Sequence, residues 1–143
     1  MLKLITFLLF LLSFQHFFAQ KDQYDQLKMQ YDHFRKIEKQ DSALFVAKEM
    51  NIWALKNETD TSLRYAVSFR YVGNCFYALE ILDSTLFYYE KSLETLVNQN
   101  RSVSIDAASC YGNIGKYFYE SNQYNKSEEY YKKSSDIYKE LNG

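Results

Sequence analysis

The segment Asp41-Ser42-Ala43-Leu44-Phe45 returns as Asp83-Ser84-Thr85-Leu86-Phe87, 42 residues further along the chain. A looser copy, Asn125-Lys126-Ser127-Glu128-Glu129, keeps the same phase, and upstream Val72-Gly73-Asn74 matches Ile114-Gly115-Lys116 at the same offset. A fixed period of this length means a stack of supersecondary units. No single unit can bury its apolar face, so stability must come from neighbours packing on one another.

Inside a unit the apolar and small residues follow helical spacing, as in Tyr111, Ile114 and Phe118, then Tyr124, Ser127, Tyr131 and Ser134. Each unit is therefore read as two helices. The spacing predicts them at 23–38 and 41–56, 62–80 and 83–98, and 103–121 and 125–141. Polar turns fall at Asn57-Glu58-Thr59-Asp60 and Asn98-Gln99-Asn100-Arg101. Asp41, Asp83 and Asn125 share one phase and are expected to cap helix starts with their side-chain oxygens.

Composition supports an all-α chain. Proline is absent, there are only four glycines, and 14 Tyr and 11 Phe supply aromatic contacts. No Pro-, Gly- or Ser-rich linker divides residues 21–143, which are expected to form one domain with units of about 23–60, 61–102 and 103–143.

These residues resemble the tetratricopeptide repeat family. Its pattern places an aromatic, a Leu-Gly pair and a second aromatic on the first helix, then small, aromatic and small residues on the second. The third unit carries Tyr111, Ile114-Gly115, Phe118, Ser127, Tyr131 and Ser134 at those positions. The second carries Phe69, Val72-Gly73, Phe76, Thr85, Tyr89 and Ser92. In the first unit Leu27, Phe34, Ala43 and Ala47 fit, whereas Tyr31 stands at the glycine position and Met50 at the last small one. Family repeats are usually shorter and often end in proline, so this array is similar to the extended-helix variants.

The resemblance implies a right-handed α-α superhelix of three helical hairpins, with first helices lining a concave groove. Gly73 and Gly115 would let the helices of a hairpin cross at close range while the aromatics fill the space on either side, and Tyr89 and Tyr131 are further structural repeat positions. The groove residues implied are Lys28, Asp32 and Arg35 from the first unit, Arg70, Asn74 and Tyr77 from the second, and Ser109, Asn113, Lys116 and Tyr119 from the third. This mixed polar and aromatic set suits an extended peptide or a partner's helix. Some family members clamp a peptide carboxylate with basic and Asn side chains, and Arg70, Asn74 and Asn113 occupy three positions of that type.

The first twenty residues read as an address. Lys3 precedes an apolar run from Leu4 to Leu12, then a mixed stretch through Gln15 and His16 ends at Ala19-Gln20, after which Lys21-Asp22 turns the chain charged. This reads as a secretory signal cleaved near Ala19, and the protein is expected in the periplasm or outside the cell. A retained anchor is the alternative, although the run is short for a span of roughly 20 apolar residues.

Net charge is −1, and the Lys and Arg residues alternate with Asp and Glu without forming a stripe, which argues against nucleic acid as a partner. Two histidines occur, and His33 is the only one outside the leader, so a His-based catalytic triad would rest on that residue. Metal-binding and phosphate-binding motifs are missing, and Tyr111-Gly112-Asn113-Ile114-Gly115 lacks the glycine spacing of a phosphate loop. The reading is a binding protein with no cofactor, not an enzyme. Cys75 and Cys110, at different heights on adjacent first helices, are expected as separate buried thiols.

The sequence stops at Glu140-Leu141-Asn142-Gly143, where a further turn would follow, and an aromatic edge around Tyr130, Ile137 and Tyr138 is expected to be uncovered. Three readings are kept: an exported interaction scaffold that binds a peptide or protein, the extracytoplasmic sensory segment of a longer or truncated bacterial sensor kinase or transcription regulator, and, last, an enzyme. An uncovered last helix also suggests self-association.

Overall fold

In a computed structural model, residues 23–143 are described, and they form helices in sequence order. Helix α1 covers residues 23–36, α2 is Gln40–Asn57, α3 Leu63–Ala78, α4 Leu82–Asn98, α5 Ile105–Glu120 and α6 Tyr124–Asn142. Consecutive helices pack as antiparallel hairpins, and α4 packs on α5 to join the second hairpin to the third. The segment expected as a leader, with its cleavage near Ala19, lies outside the described residues. Among the described residues no helix is long and apolar enough to cross a membrane.

The 42-residue phase is kept by the backbone. Helices α2, α4 and α6 start at Gln40, Leu82 and Tyr124, and α3 and α5 start at Leu63 and Ile105. Each hairpin turn contains one left-handed residue at the same phase: Glu38, Glu80 and Asn122, with φ of 57°, 59° and 58°. Around it the amides of Lys39, Ile81 and Gln123 donate to the carbonyls of Phe34, Phe76 and Phe118 at 3.0, 3.0 and 2.9 Å. The left-handed residues themselves donate to Arg35, Tyr77 and Tyr119. This is a Schellman ending, which satisfies two orphan carbonyls and reverses the chain without proline.

The expected caps are corrected. Asp41 and Asp83 lie inside the first turn of α2 and α4, where their charge meets the positive helix end, and Asn125 holds the same place in α6. The N-cap positions are Lys39, Ile81 and Gln123, none with a capping side chain. Side-chain caps occur one helix later in the cycle. Ser62 accepts from the Arg64 amide at 3.2 Å, and Ser104 from the Ala107 amide at 3.1 Å. Loop length sets the difference: the hairpin turns pass straight from the Schellman ending into the next helix, whereas α4 also ends in a Schellman turn at Asn100 but the longer loop that follows has room for the extended Ser104.

Packing explains why the first unit departs from the pattern. In the second and third hairpins, glycine on the first helix lies under tyrosine on the second: a Cβ at Gly73 would come within 2.7 Å of Tyr89, and one at Gly115 within 3.0 Å of Tyr131. In the first hairpin the pair is inverted, with Tyr31 on α1 and Ala47 on α2 buried in one cluster. Large and small residues have exchanged helices, which conserves the volume between them. A second pair departs differently, two small residues giving way to two large ones. Ser92 Oγ donates to the Ala66 carbonyl at 2.9 Å, and Ser134 Oγ to the Ala108 carbonyl at 2.8 Å. The corresponding Met50 and Tyr24 are apolar contacts in the first cluster, with Tyr24 5.3 Å from the Trp53 ring.

Candidate functional site

One cavity of about 560 Å³ gathers side chains from every hairpin. It lies within the range of roughly 300–1,000 Å³ usual for ligand sites. Arg35 comes from the end of α1, Arg70, Asn74 and Tyr77 from successive turns of α3, and Ser109, Asn113 and Lys116 from α5. Helical spacing of three and four puts each set on one stripe, and Asn74 and Lys116 share one repeat phase. Seven of the ten groove residues read from the sequence therefore line a common space.

The other three do not line it. Lys28 and Asp32 form an ion pair one turn apart on α1, and Lys28 Nζ also sits 5.1 Å from the Tyr71 ring centre. Tyr119 is exposed and packs edge-on against Tyr124 at 5.6 Å, beyond the rim.

Asn74 organises the floor. Its Oδ1 accepts from the Tyr89 hydroxyl at 3.1 Å and from Asn113 Nδ2 at 3.2 Å, which ties α3, α4 and α5 together at one atom. Tyr31 joins through a side-chain hydrogen bond with Asn74, so α1 is attached as well. Burial holds the Tyr89 phenol well above its ordinary range, and burial pushes Tyr31 up to about 12. Both phenols stay protonated and able to donate.

The charged residues lining the cavity are all cations: Arg35, Arg70 and Lys116. Arg70 Nη2 donates to Asp106 Oδ1 at 2.8 Å, which fixes the guanidinium from α5 and spends part of its donor capacity. Its Nε is buried without a hydrogen-bond partner. Arg35 is fixed by Gln40 Oε1 at 2.7 Å. Lys116 Nζ lies 4.6 Å from the Tyr77 ring centre, and the Tyr77 hydroxyl donates to Glu120. Burial and the Glu120 carboxylate hold that phenol protonated. The Arg70, Asn74 and Asn113 group thus comes together, with Asn74 engaged in holding the floor and Arg70 held by Asp106.

Six lining residues were not read as groove positions: Tyr89, Ala108, Gly112, Tyr131, Ser134 and Tyr138. Gly112 shares its phase with Arg70 and Lys28, so the register itself could have found it. The α6 residues could be found only by asking what covers each helix. Helix α5 covers α4, leaving Tyr89 2% and Leu96 0% exposed, whereas their equivalents Tyr131 and Tyr138 are 43% and 40% exposed. Tyr131, Ser134 and Tyr138 line the cavity from α6.

Cys75 and Cys110 are free and buried, as the sequence suggests. They belong to separate core clusters, and Cys110 donates to Ser92 Oγ at 3.4 Å. Burial raises both thiols, Cys75 to about 11, which favours the protonated form at neutral pH. His33 is exposed with its ring 5.7 Å from that of Phe34. Among the described residues no three His, Cys, Asp or Glu side chains gather as a metal site. No protein-family model matches the chain, and no curated protein matches it.

Proposed function

We propose that this chain is an exported interaction scaffold of tetratricopeptide type, a right-handed superhelix whose concave face binds an acidic, extended segment of a partner protein. The observation that carries the reading is the cavity formed by the first-helix stripes, whose lining charges are Arg35, Arg70 and Lys116 with no carboxylate among them. Cations held in place by Gln40 and Asp106 have already lost much of their side-chain freedom, so an incoming carboxylate meets a preorganised donor set. Tyr77, Tyr131 and Tyr138 provide apolar area with polar tips, the mixture enriched at protein interfaces.

The test is an NMR titration of the full-length protein with the peptide acetyl-Glu-Phe-Glu-amide and its neutral counterpart acetyl-Gln-Phe-Gln-amide. Stronger binding of the acidic peptide is expected, with shifts at Ser109, Asn113 and Lys116, and weakening on Lys116→Ala or with added salt. Equal shifts with both peptides, or shifts elsewhere, would remove the acidic-ligand reading.

The exposed Tyr131, Tyr138 and Leu141 on α6 favour a second reading, in which the same flank pairs two copies of the chain. A molar mass that stays monomeric across a concentration series in analytical ultracentrifugation would dismiss it.

A further inference from the structure

Gly112 sits in the interior of α5 with ordinary negative φ, so its backbone does not call for glycine. Glycine inside a helix is unfavourable relative to alanine. Gly73 and Gly115 have a packing reason, since an added Cβ would press into Tyr89 or Tyr131. Gly112 has none: a Cβ there would meet only Ser134 Oγ at 3.4 Å, an ordinary contact. At the same phase the earlier units carry Arg70 and Lys28, long side chains, while Gly112 leaves bare backbone on a cavity wall that also carries Ser109 and Tyr138, whose hydroxyls lie 3.5 Å apart.

We infer that Gly112 is the specificity-determining position of the groove, and that the notch it leaves receives an aromatic side chain of the bound segment. Tyr131 and Tyr138 line the same cavity from α6 and offer rings for an aromatic residue to pack on, and Arg70 and Lys116 line it as cations suited to acidic neighbours of that residue. Any side chain at 112 of the size found in the other units would occupy this space. The inference rests on the groove reading above and adds to it the shape of the residue taken.

The experiment compares wild type, Gly112→Ala and Gly112→Leu in the full-length protein, measuring urea midpoints and NMR affinities for acetyl-Glu-Phe-Glu-amide and acetyl-Glu-Ala-Glu-amide. Expected are a higher urea midpoint for Gly112→Ala and at least tenfold weaker binding of the Phe peptide by Gly112→Leu. Affinity for the Ala peptide should be the same in both proteins. Should Gly112→Leu fail to fold, a threefold or greater loss for the Phe peptide in Gly112→Ala carries the same conclusion, and an unchanged affinity overturns it. A lowered midpoint for Gly112→Ala would mean that glycine serves the fold, and unchanged Phe-peptide binding by a folded Gly112→Leu would mean that the notch is unused. Either overturns the inference. Binding that is lost in Lys116→Ala yet indifferent to position 112 overturns this inference and leaves the groove reading standing, whereas no binding of either peptide by wild type overturns both.

Discussion

The second and third hairpins are built from the same parts and differ in what lies on top of them. Each has a glycine under a tyrosine, a serine donating to a carbonyl across the hairpin, and a Schellman turn at the same phase. In the second, α5 lies over α4, so Tyr89 is buried and its hydroxyl is tied to Asn74. In the third, Tyr131 keeps its place above Gly115 but faces the cavity and solvent. One repeat position thus serves as core in one hairpin and stays half-exposed in the next. Position in the repeat fixes where a side chain points, and the neighbouring hairpin fixes what that direction is worth.

The largest expected contrast is at the tyrosines. Tyr89→Ala should cost about 3–5 kcal/mol, as large-to-small changes of buried aromatics do, while Tyr131→Ala should cost about 1 kcal/mol. Urea unfolding of the two variants measures this directly. Equal losses would mean that α6 is as covered in solution as α4.

A smaller contrast is expected at the glycines. In Gly73→Ala the new Cβ meets a tyrosine that α5 holds in place, and a loss of roughly 1–3 kcal/mol follows from overpacking. In Gly115→Ala the half-exposed Tyr131 can swing aside, and the gain in helix propensity of about 1 kcal/mol offsets the remaining strain. The midpoint of Gly115→Ala should stay close to wild type. A drop matching that of Gly73→Ala would show that Tyr131 is held as firmly as Tyr89.

The smallest effect at neutral pH concerns the buried thiol and phenols of the covered hairpins. Cys75 is raised from 9.0 to about 11 and Tyr31 from 10.0 to about 12, both first by burial. Above pH 9 the unfolded chain releases the Cys75 proton while the folded chain keeps it, so stability present below pH 9 declines as pH rises towards 11. Tyr31 extends the decline from pH 10 to 12 by the same sign. Urea midpoints from pH 8 to 11 should fall in wild type and begin to fall later in Cys75→Ala. A flat profile would mean that water reaches this core.

Much of the fold is legible in the residues. The recurrence of Asp-Ser-x-Leu-Phe and of Gly at 73 and 115 located the hairpins, and the observed helix bounds fall within about two residues of those read from spacing. The caps were not legible, because Asp41 and Asp83 look like N-caps until the Schellman turn before them is known. Nor was the first unit: Tyr31 and Ala47 read separately as a mismatch and a match, and only side by side do they form an inverted pair. In the cavity, the residues found were all on first helices, but phase alone did not suffice, since Tyr119 shares the phase of Tyr77 and lies outside. Lys28 and Asp32 were misplaced because a local ion pair takes them up.

The sequence by itself determined the helical hairpins, their 42-residue phase and the stripe that each side chain joins, because these depend on local spacing and short-range packing. Which equivalent residues become core and which remain at a surface was decided only by tertiary structure. Burial depends on the element that arrives from elsewhere in the chain, and Tyr89 and Tyr131 have the same local instructions but only the first is covered by a following helix.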